Sequence, residues 1–399
     1  MYCQSVTNLD PGIERGACIT GAGMSPIGRR TGIAGIELTT ASARAAIADA
    51  GLRPEDIDGI TSMGDTPIGA AAQALGIDAA WRGGGFDTGG LLSPVMSAFV
   101  AVATGQARHV LVYRTVQMMG GSILPQPGAA GTATPPRPGE QPVPGPSLDW
   151  IGPLLTMHAY SAANWIAMHC RRHMHVYGTT KDQLGWLAVN SRRNAARNPA
   201  AAYQDPMSLE DYLTARPISD PLGLLDCDVP VDGSIAVVVS ASGRAGDGPN
   251  PPVRVAAIGG SSGDGAWDQR PDYPRMAATE AAAEMWNRTD LTPRDVDVAE
   301  LYDGFTFLTF AWLEALGLCG EGEAGPFVEG AHRIALDGDL PLNTYGGQLS
   351  AGRMHGYWVL HEAVLQLRGT AGDRQVPGAE VAVVSAGGGP IAGCMLLTR

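Results

Sequence analysis

Two stretches of the chain repeat one pattern of apolar and polar positions. Ala43, Ala45, Ala46, Ala48 and Leu52 follow a helical period and lead into Leu52-Arg-Pro-Glu-Asp-Ile-Asp58. Ala278, Ala281, Ala282 and Met285 do the same before Leu291-Thr-Pro-Arg-Asp-Val-Asp297. In both, proline stops the helix and the paired aspartates turn the chain into a buried strand. Each helix follows an apolar strand ending in glycine, Ala17–Gly23 in one case and Val253–Gly260 in the other. Each unit continues with a glycine turn opening a helix, Phe86-Asp-Thr-Gly-Gly90 or Asn343-Thr-Tyr-Gly-Gly347. Each closes on a β-rich run, Ala107–Arg114 or Ala379–Ser385. The predicted order in both halves is strand, helix, strand, helix, strand, which makes a mainly buried sheet covered by helices.

The stretch between the halves differs. Residues 119–149 are dense in proline and glycine, which suits a flexible surface linker or, since the stretch is embedded within the chain, a long loop over a binding cleft. Residues 158–197 read as helical segments, and Asp232-Gly-Ser-Ile-Ala-Val-Val-Val239 as a buried strand fed by a loop.

Composition narrows the chemistry. The chain has 399 residues, 45% of them hydrophobic, and a formal charge of -13, which disfavours a nucleic-acid surface. It has no apolar run long enough for a membrane span and no secretory signal pattern, so a cytoplasmic location is expected. The one lysine, Lys181, sits in a polar turn that starts a helix, which argues against a lysine imine. The six cysteines have no paired metal or redox spacing and read as small buried residues. His169 and His173 share a helical face, but Cys170 stands where a zinc protease has glutamate, and no metal site is expected.

Five segments in this order resemble the thiolase superfamily, in its sterol-carrier or lipid-transfer branch: 86–90, the strand from Asp232, Tyr302-Asp-Gly-Phe-Thr306, Asn343–Ser350 and Ser385-Ala-Gly-Gly-Gly389. The resemblance implies a five-layered α-β-α-β-α fold from two pseudo-symmetric halves. The N-terminal half would be 1–117 plus 222–250, with a loop domain at 118–221 inserted in it, and the C-terminal half 251–399. It also implies four catalytic positions, and all four are changed here. The nucleophilic cysteine falls at Thr88, give or take one residue. The His-Asp-x-Phe histidine is Tyr302, the Gly-His-Pro histidine is Arg353, and the cysteine before the triple glycine is Ser385.

These departures are similar to those of the thiolase-like aldolases of bacterial steroid side-chain degradation. Those enzymes cleave a β-hydroxyacyl-CoA by a retro-aldol reaction and work with a small OB-fold subunit. The resemblance implies Tyr302 and Tyr345 as base and acid jointly, with His355 assisting proton transfer. The junction before the following helix is expected to favour an anionic Tyr302. Thr88, Asp303, Arg353, Ser385, Gly387 and Gly388 are the candidate substrate contacts, with Asp303 also able to cap the following helix. Apart from coenzyme A within the substrate, no cofactor is expected. A homodimer core, extended to a heterotetramer by the partner subunit, is implied. A cysteine-independent acyltransferase or condensing enzyme and a non-catalytic acyl-CoA-binding scaffold are the alternatives.

Overall fold

The computed structural model describes residues 12–63, 66–84, 90–119, 152–243, 248–262, 270 and 272–399. Its strands are β1 (Ala17–Met24), β2 (Gly59–Ser62), β3 (Trp81–Gly84), β4 (His109–Gln117), β5 (Pro217–Ser219), β6 (Leu222–Gly223), β7 (Asp232–Ala241), β8 (Val253–Ser262), β9 (Val298–Glu300), β10 (Val381–Gly388) and β11 (Ile391–Thr398). Nine of them form one mixed sheet in the order β3-β2-β4-β7-β1-β8-β11-β10-β9, and β5 pairs with β6. The halves meet at β1 and β8, where Cys18 pairs with Arg254 and Ile19 with Val253. The helices are α1 (Gly35–Asp49), α2 (Ile68–Leu75), α3 (Ser93–Ala103), α4 (Gly152–Thr156), α5 (Ala162–Tyr177), α6 (Lys181–Ala195), α7 (Leu209–Leu213), α8 (Ala278–Trp286), α9 (Thr306–Ala315), α10 (Ala324–Val328) and α11 (Tyr357–Arg368).

The repeat has a physical cause at each of its fixed positions. The first aspartate of each motif closes its own turn: Asp56 Oδ2 accepts the Arg53 N–H at 2.9 Å and Asp295 Oδ2 the Thr292 N–H at 2.7 Å. The second reaches across to the next strand of the sheet. Asp58 Oδ1 accepts the Arg108 and His109 N–H groups, both at 2.9 Å, where β4 begins. Asp297 Oδ2 accepts the Glu380 and Val381 N–H groups at 2.8 and 2.9 Å, where β10 begins. The parallel pairs β2–β4 and β9–β10 are thereby started by equivalent carboxylates. The strand glycines also share a purpose. A Cβ on Gly21 would lie 2.1 Å from the Ala46 carbonyl of α1, and one on Gly259 would lie 2.0 Å from the Ala281 carbonyl of α8. Only glycine lets helix and strand backbones approach this closely.

α11 occupies the layer between the halves. Nearly all its residues are buried, and it touches β9 and β10 of one half and β1 and β7 of the other. Its apolar residues pack on both sides, and its buried Glu362, Gln366 and Arg368 can stay there because each finds polar partners, Glu362 pairing with Arg374 at 2.8 Å. With α1 on the outer side of the first half and α8 and α9 on the second, this gives the expected α-β-α-β-α layering. Arg368, the last residue of α11, ties the halves together. Its guanidinium donates to Asp49 Oδ2 at 2.6 Å, the Thr20 carbonyl at 2.8 Å and the Pro251 carbonyl at 2.9 Å.

The described part of the intervening segment packs on the second half. α6 lies against α7, α9, α10 and the turn 347–351, and α5 lies against α9. The Pro- and Gly-rich residues 120–149 fall outside the described residues. Two of the three histidines of α5 are buried and engaged by the protein, while His175 is exposed. His169 Nδ1 meets the Pro274 carbonyl at 3.1 Å, and His173 contacts Thr179 Oγ1 at 2.8 Å and Glu314 Oε1 at 3.0 Å. Cys18, Cys170 and Cys394 are buried, and Cys3 is outside the described residues. No described helix is long and apolar enough to cross a membrane.

Replacing Arg368 with Met removes three donors from a site where little water can substitute. We expect a loss of about 3 kcal/mol of stability, read as a lower denaturation midpoint in urea. A midpoint equal to the parent's would contradict the tie between the halves.

Candidate active site

The turn between β9 and α9 runs from Leu301 to Phe305, and other segments hold its polar groups. The Leu301 N–H donates to Asn343 Oδ1 at 2.7 Å, and the Tyr302 N–H to Ser385 Oγ at 3.0 Å. The Asp303 carboxylate accepts the N–H groups of Gln348 at 2.8 Å and Leu349 at 3.4 Å. The Gly304 carbonyl accepts the Asp228 N–H at 3.2 Å. A Cβ on Gly304 would fall 2.8 Å from Tyr302 Cε1, so glycine is what lets the tyrosine ring fold over the turn. Asn343 and His355, two segments that grip this region, both hold positive φ values, 49° and 52°, which non-glycine residues seldom adopt.

This turn forms one wall of a cleft of about 260 Å³. Tyr302, Asp228, Arg353, His355, Gly387 and Gly388 line it, with Leu91, Ile166, Phe305, Leu308 and Ile391 supplying apolar surface. Asp228 is ion-paired with Arg353 at 3.3 Å, and its side chain is only 8% exposed. Burial pushes its carboxyl up to about 7, with the Arg353 charge pulling the other way. A carboxyl titrating there is suited to take and return protons near neutrality.

Tyr302 behaves differently from the expectation drawn from its place before a helix. Burial, and then the charge of Asp228, hold its phenol well above the ordinary tyrosine range, and Asp303 adds to the effect. Desolvation and two carboxylates outweigh any helix-end field, so the residue enters the cleft as a neutral hydroxyl rather than an anion.

His355 is locked in one tautomer. Its Nδ1 lies 2.8 Å from Arg114 Nη2. A guanidinium only donates, so Nδ1 accepts and the ring proton sits on Nε2. Burial, Arg114 and Arg353 together keep the imidazole pKa well below its usual value, so the ring stays neutral. His355 therefore offers a fixed N–H donor, and its backbone N–H is anchored on Gln348 Oε1 at 3.0 Å. Arg114 is itself held by the Met63 carbonyl.

Several expected contacts lie elsewhere. Asp303 is fully buried and caps the turn Gly347–Ala351, not the helix that follows it and not the cleft. Its oxygen would sit 1.9 Å from a Cβ on Gly347, so the carboxylate fills the space a side chain there would need. Ser385 is buried behind Tyr302 as the acceptor of its N–H, so its hydroxyl is spent on positioning. Tyr345 is fully buried, stacks on Trp358 at 5.2 Å and is absent from the cleft lining. Its turn points the ring into the central layer because Trp358 of α11 offers an aromatic face there. Thr88 lies outside the described residues; Gly90, two residues on, reaches the cleft. Gly387 and Gly388 are in the lining with φ values of 79° and 136°.

Sequence reasoning missed Asp228 and Arg114. Asp228 belongs to Asp226-Cys-Asp-Val-Pro230, two carboxylates in a loop running into a buried strand, and that pairing was the available signal. Arg114 gave one too, as a charged residue inside the apolar run of β4.

Residues 259–397 match the thiolase C-terminal domain-like family. The chain is 36% identical over 393 residues to a steroid side-chain-cleaving aldolase of Thermomonospora curvata, covering 95% of this chain and 97% of that protein. It is 37% identical over 395 residues to a 17-hydroxy-3-oxo-4-pregnene-20-carboxyl-CoA lyase of Mycobacterium tuberculosis, covering 95% and 98%. Among solved structures it resembles an Ltp2-ChsH2(DUF35) aldolase, with a TM-score of 0.86, 32% identity and coverage of 96% of this chain and 98% of that one.

Asp228 and Asp303 are both pushed up to about 7 by burial, above the value of an unfolded aspartate. The folded protein then holds protons that the unfolded chain releases between about pH 4 and pH 7. Their contribution to stability accordingly falls as pH rises through that window. An Asp228→Asn/Asp303→Asn double variant should lose less stability than the parent between those pH values in urea titrations. Parallel slopes would contradict the two elevated carboxyls.

Proposed function

The chain belongs to the steroid side-chain-cleaving aldolases of the thiolase superfamily, and from that premise we propose how it cleaves a β-hydroxyacyl-CoA, with a steroid side-chain thioester as substrate. The observation that carries the reading is the convergence of Asp228, a neutral Tyr302 and the His355 N–H in one cleft whose lining, among the described residues, contains no cysteine.

The reaction divides among these groups. Asp228 takes the proton of the β-hydroxyl. The oxygen electrons form the carbonyl as the Cα–Cβ bond breaks, and the bonding pair passes into the thioester as an enolate. The His355 N–H, fixed by Arg114, and the amides about Gly387 and Gly388 hold the enolate oxygen. The Tyr302 hydroxyl delivers a proton to Cα, and the proton held by Asp228 returns to the phenolate. The products are a ketone or aldehyde and a shorter acyl-CoA, with no water consumed. A high phenol pKa suits this order, since the tyrosine must remain protonated until the carbanion forms. Arg353 keeps Asp228 partly ionised and faces the entering thioester. Tyr345 supports the Tyr302 side of the site from the buried layer and does not touch substrate.

The partner and assembly belong to the same proposal. The Ltp2-ChsH2(DUF35) neighbour supports a small second subunit, which we take to be an OB-fold protein. A homodimer core, completed to a heterotetramer in the cytoplasm, fits this reading.

The test is acyl-CoA release from 17-hydroxy-3-oxo-4-pregnene-20-carboxyl-CoA, with the small subunit present. Tyr302→Phe should lower kcat by about a hundredfold or more while leaving KM within about threefold. Activity near that of the parent would remove Tyr302 as the acid. Asp228→Asn should abolish the rise of kcat/KM through about pH 7, and a retained limb there would remove Asp228 as the base.

A further inference from the structure

The chain's single lysine is placed where the site's two halves are joined. Asp226 is fully buried and accepts from four directions. Lys181 Nζ and the Gly223 N–H, the latter at 2.6 Å, bind Oδ2, while the Thr306 hydroxyl at 2.6 Å and the Tyr212 hydroxyl bind Oδ1. The lysine ammonium also lies 4.5 Å over the Tyr212 ring. Thr306 is the first residue of α9, directly after the turn that carries Tyr302.

The two segments that meet at Asp226 run antiparallel in register. Asp226 bonds Thr306, Cys227 bridges Phe305, and the Asp228 N–H donates to the Gly304 carbonyl. Three consecutive residues of one loop thus face three consecutive residues of the other. The charged hub closes one end of this short ladder, and the other end carries Asp228 beside Gly304, on which the Tyr302 ring rests. A two-stranded ladder this short has little stability of its own. Its register depends on what pins its ends.

We propose that Lys181 and Asp226 are positioning residues of the cleavage reaction, fixing Asp228 against Tyr302 through this ladder. The inference rests on the reading of Asp228 as the base. Without the ammonium, Asp226 would be a buried carboxylate with no cation, and such a charge is either protonated or drawn toward water. Either change weakens its hold on Thr306 and frees the ladder. A displacement of about 1 Å between catalytic groups is enough to cost about a hundredfold in rate.

The experiment is a double-mutant cycle between Lys181→Met and Asp228→Asn, on the full chain with its small subunit and the thioester named above. The Arg353 charge acts on Asp228, and the Asp228 charge acts on Tyr302, Asp303 and Cys227; Lys181→Met alters none of these residues. Lys181→Met should keep its thermal unfolding cooperative, lower kcat tenfold or more with KM within about twofold, and move the limb near pH 7. In the Asp228→Asn background the same substitution should cost less than twofold. An equal fractional loss in both backgrounds would overturn the proposal, as would a Lys181→Met protein with the parent's kcat and pH profile. Should Lys181→Met fail to fold, Thr306→Val cuts the same hub from the other side, and the same coupling is required of it. Full activity in Asp228→Asn alone would instead defeat the reading on which the proposal rests.

Discussion

The site depends on one buried turn whose backbone cannot reach water. Leu301–Phe305 leaves the end of β9 and must satisfy its polar groups before α9 begins. Buried amides and carbonyls without partners are costly, so each must find one from elsewhere in the chain. Three segments answer: Asn343 of 343–350 holds the Leu301 amide, Ser385 holds the Tyr302 amide and the Asp228 amide reaches the Gly304 carbonyl, while the Asp303 side chain in turn accepts the Gln348 and Leu349 amides. The satisfaction of a backbone and the assembly of an active site are here one event. The segments that complete the hydrogen bonds also deliver Asp228, Arg353 and His355 to the cleft.

This gives the substituted thiolase positions a common logic. A thiol nucleophile needs a depressed pKa and a base beside it, and the cleft supplies conditions of the opposite sense. Burial lifts both the carboxyl of Asp228 and the phenol of Tyr302, and burial with Arg114 and Arg353 keeps His355 neutral. Groups tuned in this way exchange protons without building permanent charge on the tyrosine or the imidazole. Such a cleft suits a reaction in which negative charge develops on substrate and must be met by preorganised donors. At the old cysteine position the Ser385 hydroxyl accepts from the main chain at Tyr302.

Much of this was legible in the residues. The repeated Leu-x-Pro-x-Asp-[Ile/Val]-Asp motif specified two equivalent halves, because each of its aspartates answers a local need, one within its turn and one at a strand start. The glycines of β1 and β8 marked close helix approach, and Tyr302 marked the mouth of the sheet. Arg353, His355, Gly387 and Gly388 were found as candidates and do line the cleft. Tyr345 and Asp303 were placed near the chemistry by their motifs, yet both are buried behind it. A glycine turn says that the chain reverses there, but not which way an adjacent ring points. That choice belonged to Trp358, thirteen positions along the chain and on another element.

By itself, then, the sequence determined the two halves and their alternation of strand and helix, since these follow from period and punctuation within short windows, while the five layers and the changed thiolase positions were what the resemblance implied. The tertiary structure alone decided the protonation of the site. Whether Tyr302 is neutral, whether His355 carries its proton on Nε2 and where the Asp228 carboxyl titrates depend on burial and on charges brought from Arg114 and Arg353. Desolvation and Coulomb interactions act through space over a few ångströms, between residues as far apart in the chain as 114 and 355. Linear order does not record those distances, and folding creates them.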